Sequence, residues 1–193
     1  MVAPFVRARH MKTFVETIDA LDERVRARIY ARLAADDIET IAQAVPVVWL
    51  PMNLNVLVTD ATSLELGPQG AHDFFRALVT AEYRTDTFRS FLASIGRLLG
   101  LTPSTYVKMT PKGWELVFKN CGSFRPMERE RERARLEYKD IPQMCVQNQL
   151  WMESVRSSFY SAFELTGVSG DIRWEELDLN RRRAIFLFTW QEG

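Results

Sequence analysis

The sequence predicts an α+β fold: a helical N-terminal half, then an antiparallel sheet of about four to five strands with a long C-terminal helix packed beside it. Three observations predict it. Apolar residues recur every three or four positions through the first hundred residues, which is the helix period. Beyond residue 100, short runs alternate apolar with polar, which is the strand period. Between these runs, residues 143–165 hold one more long helical pattern. Helices segregated from antiparallel strands give α+β and not a doubly wound sheet. The 193 residues are read as one domain, 1–193, with 1–100 mainly helical and 101–193 carrying the sheet and the long helix.

The elements follow in order. Phe14, Ile18, Leu21, Val25 and Ile29 mark a helix from Arg9 to Leu33. Asp36 and Asp37 cap a short helix through Ile38 and Ile41 that must stop before Pro46. Asn53 starts another, and Gly67, Pro68 and Gly70 punctuate the chain. From Ala71 to Gly100 a long helical run carries two apolar patches. The first holds Phe74, Phe75, Leu78 and Val79; the second holds Phe88, Phe91, Leu92, Ile95, Leu98 and Leu99. Thr85, Asp86 and Thr87 break it, and Gly100 stops it. Tyr106–Met109 and Trp114–Phe118 read as strands of a hairpin turning at Thr110, Pro111, Lys112 and Gly113. Ala134, Leu136 and Tyr138 form a half-buried strand. The long helix runs from Gln143 to Leu165 and stops at Gly167. Ile172–Leu177 and Ala184–Trp190 close the sheet around Asp178, Leu179 and Asn180. The last strand is apolar on both faces, so it is expected to be central or covered on both sides.

Composition excludes several functions. Hydrophobic residues make 47% and charged residues 26%, which is globular and not disordered. Lys+Arg and Asp+Glu are both 25, so the excess positive charge of a nucleic-acid binder is missing. No stretch approaches the roughly 20 apolar residues that span a bilayer. The N-terminus has no signal-peptide pattern, and two cysteines make no disulfide scaffold. The expected compartment is the cytoplasm.

Catalytic motifs are missing as well. His10 and His72 are the two histidines, and neither pairs with Cys121 or Cys145 at a metal-ligand spacing. No P-loop, dinucleotide fingerprint or Gly-x-Ser-x-Gly elbow occurs. Ser154, Ser157, Ser158 and Ser161 on the long helix read as close-packing or solvent-facing residues. Glu175 and Glu176 are neighbours on a strand and are expected on opposite faces. Cys121, near Lys119, and Cys145 read as buried and inert, although a nearby cation activates a thiol in principle. The Glu128–Arg133 run, alternating Glu with Arg, reads as a solvated connecting segment. No enzyme, metal or cofactor is expected.

Aromatic residues carry the positive signal. Five Trp and twelve Phe exceed what a minimal core needs. A pocket between the long helix and the sheet is expected, lined by Trp151, Val155, Phe159 and Phe163 on the helix and Phe186 and Phe188 on the sheet. It would suit a small apolar ligand, making the chain a sensor or adaptor domain. The alternative is a protein-interaction subunit, homodimeric or within a complex, that uses Phe74, Phe75 and Leu78 as an exposed apolar face.

Several short stretches resemble a known group. They are Trp49-Leu50-Pro51 before a helix, Gly67 with the helices after it, Lys112-Gly113-Trp114, Tyr138 to Pro142, Leu165-Thr166-Gly167 and Ala184 to Trp190. Together they resemble an uncharacterised myxobacterial paralogous family of about two hundred residues. That family is similar to 4-vinyl reductase domains, haem-nitric-oxide-binding domains and the small subunits of TRAPP tethering complexes. The resemblance implies an α+β fold that holds a small apolar molecule, haem or an acyl chain, or that assembles with partners. The haem-binding relatives use a Tyr-x-Ser-x-Arg motif, which this sequence lacks, and the cysteine-rich metal cluster of some vinyl-reductase-type domains is missing too.

Overall fold

The computed structural model describes residues 2–191, apart from the side chains of residues 87, 95, 98, 99 and 129. Strand β1 (Phe5–Arg7) leads into helices α1 (Ala8–Asp19), α2 (Glu23–Tyr30) and α3 (Ala35–Gln43). Met11, Phe14 and Ile18 recur on the buried face of α1. The single helix expected from Arg9 to Leu33 breaks after Asp19, because Asp22 caps a new helix by accepting Arg24 N–H at 3.0 Å. Asp36 and Asp37 lie in the first turn of α3, one and two residues inside its start.

Strand β2 (Trp49–Pro51) precedes α4 (Met52–Glu82), followed by α5 (Asp86–Leu99) and α6 (Pro103–Val117). Gly67 bends α4 without ending it. Its φ of 68° and ψ of 176° belong to a region that only glycine enters freely, and Pro68 restarts the helix. Gly100 stops α5 as expected. The second apolar patch lies on α5, and its Ile95, Leu98 and Leu99 side chains fall outside the described residues.

The expected hairpin at 106–118 is a helix. Tyr106, Val107, Thr110, Trp114 and Val117 are spaced by one helical turn as well as by strand-like runs, and the structure takes the helical reading. Pro111 sits inside α6 and removes one backbone hydrogen bond. Burial of Val107 and Val117 offsets that loss. So does the indole of Trp114, which donates to Cys121 O at 3.2 Å.

Strands β3 (Phe118–Lys119), β4 (Ser123–Arg129) and β5 (Arg133–Lys139) follow. Helices α7 (Gln143–Val146), α8 (Gln149–Phe159) and α9 (Ser161–Thr166) come next, then β6 (Ser169–Asp178) and β7 (Arg183–Gln191). The expected long helix is these three pieces, ended at Gly167 in a left-handed conformation. Two antiparallel sheets form: β2-β1-β3, and β4-β5-β7-β6. The small sheet was not legible, since its strands are two or three residues long.

Strand β7 is central, as its two apolar faces predicted. Ala184, Phe186, Phe188 and Trp190 join the core against α8. Ile185 and Leu187 face the other way and are still buried. Close ion pairs lie on that outer face. Arg125 and Arg183 hold Glu137 at 2.7 Å each, and Arg183 also holds Glu176 at 2.6 Å. Arg135 holds Glu175 at 2.7 Å and also pairs with Glu128. Glu175 and Glu176 were expected on opposite faces. A β-bulge between Trp174 and Glu176 lets both reach arginines of the outer face.

Candidate functional site

Helices α1, α4, α5, α6, α8 and α9 border a cavity of about 150 Å³. It exists because bulky rings meet there edge to face and leave a gap. Phe14 meets Phe75 at 5.7 Å and 85°, and Trp114 meets Trp151 at 6.3 Å and 74°. Gly113, Ser154 and Ser158 border the same space with side chains too small to fill it. Phe88 and Phe91 of α5 form one wall, half-buried.

Three polar groupings interrupt this lining. The first is His10 on α1 and Glu82 on α4. His10 Nδ1 lies 3.1 Å from Glu82 Oε1, with side chains 11% and 5% exposed. Both residues also border an outer pocket that includes Arg7, Arg9 and Val47, so the pair stands between that pocket and the cavity. The second is Asn55, whose Oδ1 accepts the Trp151 indole N–H at 2.9 Å and whose Nδ2 donates to Met11 Sδ at 3.4 Å. The third is a hydroxyl cluster: Tyr83 OH lies 2.8 Å from Ser161 Oγ and 3.1 Å from Tyr106 OH, and Ser161 Oγ donates to Ser158 O. Burial pushes the hydroxyls of Tyr83 and Tyr106 above the ordinary tyrosine value, so both stay protonated.

The cavity is displaced from the place the sequence suggested. Trp151, Val155 and Phe159 border it. Phe163, Phe186 and Phe188 do not, because the space between helix and sheet is closed by direct ring packing. Phe159 meets Phe186 at 5.1 Å and Phe188 at 5.6 Å, and Phe163 lies against Gly170. The residues expected on an exposed apolar face are inside: Phe74, Phe75 and Leu78 are 4%, 3% and 2% exposed. They turn toward α1 and the cavity because Phe74 and Phe75 each pack on Phe14. Phe75 and Leu78 border the cavity.

His10, Asn55, Glu82, Tyr83 and Tyr106 were missed. One signal was available: Phe75, Leu78 and Glu82 are spaced by three and four, which sets a carboxylate in the apolar register of α4. Other candidates have structural partners. His72 Nδ1 lies 3.2 Å from Ser157 Oγ and its ring packs on Tyr160, away from the cavity. Cys121 and Cys145 are buried; contact with Cys121, then burial, pushes the Cys145 thiol above its ordinary value. The Glu128–Arg133 run forms the end of β4, the hairpin tip and the start of β5. Among the described residues no three His, Cys, Asp or Glu side chains are grouped to hold a metal ion. No helix among them is long and apolar enough to cross a membrane.

No family model matches the chain, and no curated protein matches it. Solved structures do. A Fe(II) unliganded H-NOX protein from K. algicida superposes with a TM-score of 0.62 at 12% identity, covering 97% of each chain. An oxygen-binding H-NOX domain related to soluble guanylate cyclases gives 0.61 at 7%, covering 95% of this chain and 94% of that one. An I5F mutant of T. Tengcongensis H-NOX gives 0.60 at 9%, covering 94% and 96%. This chain therefore has an H-NOX-like fold. The fold agrees with one likeness seen in the sequence, that to haem-nitric-oxide-binding domains; the myxobacterial family finds no matching family model.

Proposed function

We propose that the chain is a sensor or adaptor domain that responds to a small apolar molecule held in the helical cavity. The observation that carries this reading is the cavity itself. It is about 150 Å³, bordered by six helices and walled by aromatic rings. Cavities of roughly this size lined by apolar side chains hold molecules of the size of benzene. The fold supports a sensing role, since its structural neighbours are H-NOX proteins, one of them described as oxygen-binding.

Those neighbours raise the question of haem. The residues present do not fit it. The cavity is smaller than the roughly 300 Å³ at which cofactor pockets begin. No Lys or Arg borders it to pair with the two propionates, and the one carboxylate that does, Glu82, would repel them. A ring-sized molecule without propionates meets none of these obstacles.

The experiment is a melting curve of the purified protein in rising concentrations of benzene, with native mass spectrometry of the protein as isolated. A bound small molecule, or a melting temperature that climbs with benzene, is expected. A bare polypeptide whose melting is indifferent to benzene and similar rings would overturn the reading.

A further inference from the structure

Glu82 is the one acidic residue that borders the cavity, and it is 4% exposed. An ionised carboxylate only accepts hydrogen bonds, and its two oxygens have room for about four. His10 takes one oxygen, Oε1, at 3.1 Å. No other side chain among the described residues hydrogen-bonds to this carboxylate. The other oxygen is not sealed in the core either: the sealed, unpartnered side-chain oxygens among the described residues are Thr62 Oγ1 and Ser63 Oγ. Glu82 Oε2 therefore borders open space, and Glu82 lines both the cavity and the outer pocket. Asn55 Oδ1 is met by Trp151 and the tyrosine hydroxyls by Ser161, and the neutral hydroxyls of Thr59 and Ser158 that also line the space are weaker acceptors than a carboxylate.

We infer that Glu82 is the polar anchor of the cavity, and that the cavity takes an uncharged, ring-sized molecule bearing one hydrogen-bond donor, a hydroxyl or a ring N–H. The inference rests on the reading that a small apolar molecule occupies this space. Charge decides against the alternatives. An anion meets Glu82 and no Lys or Arg. A cation must compete with His10 for the same carboxylate and leave its hydration behind. A neutral donor completes the carboxylate without adding charge, and its ring packs on the surrounding Phe and Trp side chains.

The test compares phenol with fluorobenzene, rings of similar shape that differ in the donor, by calorimetric titration of the intact protein. Phenol is the more water-loving of the two, so hydrophobicity alone ranks it second. The expected result is phenol binding about tenfold tighter, the size of one hydrogen bond to a charged group. In Glu82→Leu the preference disappears while fluorobenzene still binds. In Glu82→Gln, which keeps a partner for His10, it shrinks. If neither ring binds, the underlying reading falls and this inference with it. If both bind equally to the unaltered protein, or the preference survives Glu82→Leu, the anchor assignment falls alone. Benzylammonium binding tighter than phenol overturns the uncharged class.

Discussion

The Trp151 indole donates to Asn55 Oδ1 at 2.9 Å, one of the bonds that tie α8 to α4 and the one set at the wall of the cavity. Both residues are buried, at 1% and 3% exposure, so no water replaces a lost partner. Asn55→Leu orphans the indole N–H and is expected to cost about 2 kcal/mol of stability. Urea denaturation monitored by tryptophan fluorescence checks it. A change below about 0.5 kcal/mol would show that the bond is dispensable.

Gly170 is where a strand and a ring approach too closely for a side chain. A Cβ there would lie 2.4 Å from Phe163 ring carbons and 2.5 Å from Thr189 O. Gly170→Ala is expected to destabilise by about 1–3 kcal/mol through overpacking. Adding Phe163→Leu should return part of that loss, so the two changes will not add. Denaturation of both single variants and the double variant measures the coupling.

Acid should destabilise the fold in two stages. Burial holds His72 below its ordinary value of 6.5, so the unfolded chain takes up that proton first. Stability contributed by neutral His72 is complete above 6.5 and falls as the pH drops from there through the folded value. Hydrogen bonds from Arg183 and Arg125 hold Glu137 below its ordinary 4.5. Its contribution is complete above 4.5 and is lost as the pH falls through the lower folded value. Melting temperature against pH should show both declines, the upper one flattened in His72→Gln and the lower one in Glu137→Gln.

Neither thiol should react in the native protein. Cys121 and Cys145 are buried, and Cys145 is held protonated by its neighbour and by burial. A colourimetric thiol reagent is expected to find none at neutral pH and two after denaturation. Rapid reaction of a native thiol would refute that placement.

What the sequence disclosed follows from how strongly each signal was tied to local chemistry. Gly100 and Gly167 end helices because positive φ suits glycine, and both stops were legible. The central place of β7 was legible because Ala184 to Trp190 is apolar at almost every position. Pro111 and Gly113 misled, since in isolation they mark a turn, whereas tertiary packing of Val107, Trp114 and Val117 keeps them helical. The cavity was harder still. Trp151, Val155 and Phe159 were expected to line a pocket against the sheet and line a helical one instead, because whether a ring faces a gap or another ring depends on partners far along the chain. Phe159 does both, touching the cavity on one side and Phe186 on the other. The pairing of His10 with Glu82 spans 72 positions, and no local pattern announces it.

The arginine and glutamate lattice over Ile185 and Leu187 has a consequence for crowding. Charges of both signs alternate across neighbouring strands, so the outer face projects little net field while keeping its apolar residues shaded. Two copies meeting there would have to strip water from guanidinium and carboxylate groups that already have partners. A sheet of this kind is expected to resist stacking on a second copy without a covering layer.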